Sequence, residues 1–180
     1  AMGSAGTIAA GDRLKQIWHD HKIVGLEPIQ CPTLFTNGYG AHEIQGIGDK
    51  HVTWIHNVNN MDALMAIDDM DSVNGLRVLA EEVGRKTLAD RFGLPEDTVN
   101  NLANMLGISG ICNIIGAIKT AKYYNMSSDD VIVTVATDSM ERYHSVMDQM
   151  REKHGALDEA QATAFVEGIF HRAGTDWVME

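Results

Sequence analysis

Close to its start the sequence runs "GSAGT", Gly3 to Thr7, directly ahead of a helical pattern. These residues are small, two of them carry hydroxyls and none is cationic, so backbone N–H groups stay accessible. A helix start adds roughly half a positive charge. Such a turn can hold a phosphate by oriented amides alone, without a lysine. No Gly-Lys-Ser/Thr follows it, and Ala5 interrupts a Gly-x-Gly-x-x-Gly spacing, so neither familiar nucleotide fingerprint is met. On spacing alone an ordinary strand-to-helix turn fits equally well. Two further stretches carry chemistry. In "HEIQGIG", Gly46, Ile47 and Gly48 make either a ligand-side loop or a turn that needs positive φ. In "ATDS", strand alternation sets Thr137 and Ser139 on one side and Asp138 on the other, offering a hydroxyl contact or a helix cap.

With 25 acidic and 14 basic residues the formal net charge is -11, which opposes unaided binding to polyphosphate or anionic lipid. Nucleic acid and membrane are therefore not expected partners. Cys31 and Cys112 form no paired motif, so neither a disulfide framework nor a thiolate zinc site is expected, and a reducing cytoplasm fits best. His19 and His21, two apart, cannot share a helical face, and no metal site is expected. No apolar run approaches the roughly 20 residues of a membrane span. The length suits a single domain over residues 1–180.

Those candidate groups must be placed by the elements around them. Ile8, Gly11, Leu14, Ile17 and Trp18 recur at helical spacing, with Asp12, Arg13, Lys15 and Gln16 opposite. "KIVGLEP" predicts a short buried strand closed by Pro28, and the Gly- and Pro-rich stretch 29–52 a long loop. "DALMAID" is strand-like, although its Met and Ala leave a helix open; "DDMD" starts a helix carrying Val73, Leu76, Leu79, Ala80 and Val83, ended by Gly84. Residues 85–106 predict two short helices joined at "FGLPED", with Pro95 in a first turn, and "GISGICNIIGAIKTAKYY" predicts an apolar helix. "DDVIVTVATDS" is the clearest strand by composition, with Asp138 and Glu141 spaced as a capping box for a helix from Glu141 to His154. A last helix is expected from Leu157 to Arg172. Helices alternating with buried-type strands predict an α/β fold of three layers, a mostly parallel sheet flanked by helices.

The order "GSAGTIAAG", "KIVGLEP", "HEIQGIG", "GISG" before an apolar helix, and "VIVTVATDSMERY" resembles the C-terminal part of the cysteine synthase family. That family includes O-acetylserine sulfhydrylase and cystathionine β-synthase, pyridoxal phosphate enzymes of fold type II. The resemblance covers about Gly3 to Ser145, and "HEIQGIG" and the Gly-rich turn are its specific parts. It implies that Gly3, Ser4, Ala5, Gly6 and Thr7 hold the phosphate of pyridoxal 5'-phosphate, by backbone amides and the hydroxyls of Ser4 and Thr7. It implies that Gly46, Ile47 and Gly48 form the loop beside cofactor and substrate, where small residues permit closure. It also implies that a hydroxyl from "ATDSMERY", Thr137 or Ser139, meets the pyridine nitrogen. A hydroxyl there weakens the electron sink relative to a carboxylate and suits β-elimination or β-replacement. The implied substrate is an amino acid such as O-acetylserine or serine, and the complete enzyme is implied to be a homodimer.

The family's Schiff-base lysine, an asparagine and a Ser/Thr-rich substrate loop lie in an N-terminal segment, and none of these precedes Gly3. Lys15, Lys22, Lys50, Lys86, Lys119, Lys122 and Lys153 are expected on polar helix faces, near strand edges or in loops, and none is nominated. The expectation is thus the C-terminal part of a longer enzyme, without a catalytic lysine and inactive alone, its N-terminal part absent. A noncatalytic phosphate- or cofactor-binding regulatory module is the alternative. "GISG" is shorter than the family's loop, and residues 85–106 have no counterpart in it. "LADRFGLPEDTV" has helix-turn-helix spacing, yet "PEDTVNNLANML" holds two acids and no base, so a packed helical hairpin is expected there.

Overall fold

The computed structural model describes residues 4–180. Strand β1, Val24–Pro28, pairs in parallel with β2, Ala63–Ile67, in a register from Val24 opposite Ala63 to Pro28 opposite Ile67. A short strand β3, Val178–Met179, joins the other edge of β2 in antiparallel fashion. Every residue of β2 is buried, which explains its unbroken apolar run and resolves "DALMAID" as a strand.

Helix α1, Ala5–Ile17, leads into β1, and a one-turn helix α2, Thr33–Thr36, interrupts the long loop after it. Helix α3, Asp69–Ala80, starts where the Asp68 carboxylate accepts the Met70 N–H at 2.7 Å, with Asp69 and Asp71 adding negative charge to the first turn. Its Val73, Leu76 and Leu79 enter one core with Ile108, Ile111, Cys112 and Ile115 of helix α6, Ile108–Tyr123. Ile44 and Ile47 of the long loop enter the same core. No helix among the described residues is long and apolar enough to cross a membrane.

The helix expected to end at Gly84 ends at Ala80 instead. Glu81 turns extended (φ -103°, ψ 139°) and α4, Glu82–Phe92, starts anew. The Glu81 carboxylate accepts from the Leu157 N–H at 2.9 Å and lies 3.5 Å from Arg77, so tertiary contacts set the break. Gly84 is buried inside α4, where a Cβ would sit 2.6 Å from the Val78 Cα. It is a close-approach glycine, which sequence spacing cannot distinguish from a terminator.

Helices α4 and α5, Glu96–Met105, form the expected hairpin around Gly93 (φ +62°), with Val99 and Ala103 turned inward. Helix α7, His144–His154, follows a 3-10 turn at Met140–Arg142, so the proposed Asp138 and Glu141 capping box does not form. Instead Asp138 accepts from Thr137 and Tyr143. Helix α8, Glu159–Phe165, opens on a capping box of Asp158 and Gln161 and widens into a π-helical turn, Val166–His171. Helical structure therefore occupies most of the span expected from Leu157 to Arg172.

Two expectations are corrected outright. Residues 131–137 are not a strand: they make no sheet ladder, and Val131 and Val133 are 81% and 80% exposed. The run has β-forming side chains but no neighbouring strand among the described residues, and β structure is a property of the pair. Lys119 is not on a polar face. It is 6% exposed, with its amine 3.3 Å from the Ala66 carbonyl oxygen and 3.7 Å from the Asp176 carboxylate, and burial lowers its pKa.

Candidate functional site

The first candidate is the start of α1. Ser4 is extended at the N-cap and its hydroxyl makes no capping bond. Within a helix the first-turn amides, here those of Ala5, Gly6 and Thr7, have no carbonyl to reach. A Cβ at Gly6 would meet nothing within 4 Å, so the approach to these amides is open. Thr7 Oγ1 donates to the Ser4 carbonyl oxygen at 3.1 Å, which leaves backbone amides and the Ser4 hydroxyl as the donors presented. Unused donors, a helix dipole and no bulky side chain fit a phosphate group. Gly3 lies outside the described residues.

Helix α1 is fastened chiefly at its other half. Asp12 accepts from Asn60 at 2.9 Å, Lys15 reaches Asp62 at 2.8 Å, and Gly11 packs on Ile23. Gly11 is its buried residue, while Ile17 and Trp18 stay largely exposed.

The second candidate, Gly46 to Gly48, follows the carboxyl end of β1, where ligands collect in open parallel sheets. Gly46 (φ +83°) and Gly48 (φ +102°) take the left-handed region, and a Cβ on Gly48 would lie 2.9 Å from both His42 Nε2 and Pro28 Cγ. The structure shows the positive-φ turn, with Ile47 plugged into the core and Gln45 and Gly46 exposed. The loop is tied at entry, where the Asp69 carboxylate accepts from the N–H groups of Glu43 (2.7 Å) and Ile44 (3.3 Å). At its exit the Thr33 hydroxyl donates to the Asp49 carbonyl oxygen. In α2 the Leu34 and Phe35 N–H groups donate to the buried Glu27 carboxylate of β1; burial raises its pKa, against those two bonds.

The third candidate centres on Thr137. Its hydroxyl meets Ser109 Oγ of "GISG" at 2.5 Å and Asp138 Oδ1 at 3.2 Å. Tyr143 donates to Asp138 Oδ2, and its pKa is raised by burial and by that carboxylate. Ser139 opens the 3-10 turn without a side-chain capping bond. Thr137 and Asp138 therefore meet in one cluster with Ser109 and Tyr143, and Ser139 stands beside it. Sequence reasoning missed the roles of Asp69, Ser109 and Tyr143. "GISG" and "ERY" marked two of them, but side-chain partners 28 and 5 residues away carry no periodic signal.

Among the described residues no hydrogen bond joins the three candidates directly. A groove of about 470 Å³ lies between β1 and the unpaired run, lined by Val24, Leu26, Gly116, Thr120, Val131 and Val133.

No family model matches the chain. Over 145 residues, 80% of the chain, it is 32% identical to Cysteine synthase B of Campylobacter jejuni. Over 146 residues, 81% of the chain, it is 30% identical to a probable cysteine synthase of Bacillus subtilis. The chain spans about two-fifths of the length of these relatives, 41% and 40%. The structure of a hydrogen sulfide-producing enzyme from Fusobacterium nucleatum superposes with a TM-score of 0.63 at 25% identity, over 91% of this chain and 42% of that one. A mutant of the Fusobacterium enzyme, complexed with an alpha-aminoacrylate intermediate, gives a TM-score of 0.64 at 27% identity, over 90% and 42%.

Proposed function

As a homologue of the cysteine synthases, this chain is, we propose, the phosphate-holding part of a pyridoxal phosphate-dependent enzyme. That enzyme would replace or eliminate the β-substituent of an amino acid such as O-acetylserine or serine. Cysteine carries its sulfur on the β-carbon, so making cysteine from either is a substitution at that carbon. Bound pyridoxal phosphate supplies the electron sink for such chemistry.

The residues of this chain bind and orient. The amides of Ala5, Gly6 and Thr7, with the Ser4 hydroxyl, hold the dianion at the positive end of α1. A hydroxyl from Thr137 or Ser139 faces the ring nitrogen and leaves it without a carboxylate partner. The Gly46 to Gly48 loop walls the substrate side and excludes water. The bond-forming lysine and the groups that grip the substrate are assigned to another stretch of polypeptide, and this chain alone is expected to be inactive.

The open first-turn amides of α1, in a chain homologous to cysteine synthases, carry this reading. A further support is the groove beside β1. A right-handed crossover sets the strand leading into a helix parallel to, and beside, the strand leaving it. Such a strand would fill the space between β1 and residues 131–135 and give both a partner.

Phosphorus NMR of pyridoxal phosphate titrated with the chain tests the reading. Weak binding is expected, weakened at least about tenfold by Gly6→Asp, which sets a negative charge in the first turn. Borohydride treatment is expected to leave the protein mass unchanged. A phosphorus signal indifferent to Gly6→Asp, or a stoichiometric reduced adduct on a lysine, would overturn it.

A further inference from the structure

Asp69 is the first residue of α3 and is 4% exposed, yet both of its carboxylate oxygens are spent on a loop 25 and 26 residues away in sequence. Its own N–H donates to Gln30 Oε1 at 3.1 Å, and Gln30 Nε2 donates to Asp68 at 2.9 Å. The Gln30 side chain thus ties the end of β1 to the start of α3, and the Asp69 carboxylate ties the start of α3 to the loop entry. Beyond that lock the loop turns on Gly46 and Gly48, and its exit is held by Thr33.

We propose that Asp69 is the positioning residue of the Gly46 to Gly48 loop: its carboxylate fixes where the loop stands, and loss of its bonds to Glu43 and Ile44 loosens the loop ahead of its two glycines. Its importance for catalysis rests on the reading that this loop borders the substrate; the clamp itself does not.

Bonds from N–H groups to an ionised carboxylate are stronger than those to a neutral acid. Titration of Asp69 therefore controls the clamp. Burial raises its pKa, the Glu43 and Ile44 amides and His42 act to lower it, and Asp68 acts to raise it, with the net shift upward. Glu43 on the loop also stands at this end, and Cys112 faces it from α6 with a thiol that burial pushes up to about 12, so the thiol stays neutral. The ionised, clamping form prevails at neutral pH. It is lost on acidification above the ordinary aspartate range.

Nitrogen-15 NMR of the chain tests this. The amide signals of Glu43 and Ile44 are expected to titrate together, with one midpoint above the ordinary aspartate range, while amide exchange over 43–48 quickens. Asp69→Asn offers an NH2 to one of the two donors; it should raise exchange at Glu43 and Ile44 at least about tenfold at neutral pH and abolish its carboxylate-range dependence. Exchange within α6 should not change. Amides that ignore the titration in the unaltered protein, or exchange unmoved by Asp69→Asn in a folded variant, would overturn the clamp. If the variant does not fold, the titration of the unaltered protein decides. The phosphorus titration above is expected to be the same in Asp69→Asn, so a failed phosphate site is distinguished from a failed clamp.

Discussion

Asn113 Nδ2 donates to the carbonyl oxygen of Val135 at 2.9 Å, standing where the N–H of a neighbouring strand would stand. A side chain of α6 thus satisfies one carbonyl of a run that has the composition of a buried strand and the exposure of a loop. An exposed edge of this kind is a template for pairing with another chain. Replacing Val131 and Val133 together by Lys should leave the unfolding midpoint within about 2 °C, because neither side chain is buried. Concentration-dependent self-association should fall. Thermal unfolding and sedimentation velocity check the two halves.

The two loop glycines predict a graded pair. Gly46→Ala meets open space and carries only the strain of positive φ, about 1 kcal/mol. Gly48→Ala adds contacts at 2.9 Å with His42 and Pro28 to a similar strain, for about 2 to 4 kcal/mol. Denaturant unfolding of both variants should rank them in that order; equal losses would mean that Pro28 and His42 yield without cost.

Stability should peak at mildly acidic pH. Burial raises the pKa of Glu27, Asp69 and Asp71. A carboxyl whose folded pKa lies above its unfolded one contributes stability that is complete below the unfolded value and lost as pH climbs through the folded value. At Asp62 burial also acts upward, but the Lys15 and Ile23 hydrogen bonds and nearby lysine charge outweigh it and lower the pKa. Its contribution is present above the unfolded value and lost as pH falls through the folded one. Melting temperatures should rise as pH falls from 7 toward the unfolded carboxylate range, about pH 4, and drop below it, the less so in Asp62→Asn.

Lys119 offers a test of buried charge. Its amine is desolvated, while its carboxylate partner Asp176 is mostly in solvent, where water screens the attraction. Lys119→Met keeps the stem and removes the charge, so the melting temperature should hold or rise by a few degrees. Lys119→Ala should cost about 2 kcal/mol through lost packing.

Legibility followed locality. The β2 strand, the acidic start of α3 and the α4 to α5 hairpin were written in short-range pattern, whereas Ala5, Gly6 and Thr7, expected as a turn ahead of α1, form its first helical turn. The homology to cysteine synthases was visible in ordered motifs rather than in periodicity. Residues 131–137 were misread because strand propensity describes a side chain's fitness for a sheet and says nothing of the partner. Gly84 was misread because terminators and close-approach glycines look alike in one dimension. At the candidate site, Gly46 and Gly48 were legible as glycines that a loop needs. Asp69 was legible only as a helix-start acid, since its two loop donors are distant in sequence.

Helix α1 buries little more than Gly11, and its polar ties lie toward its C-terminal half. An anion captured at Ser4 to Thr7 would therefore sit at the end of α1 farthest from its ties. If the seated form of α1 is one conformer among several, the apparent dissociation constant rises by the inverse of its population. A polypeptide that covered the exposed Ile17 and Trp18 would then tighten anion capture without touching the anion, acting as a remote affinity control.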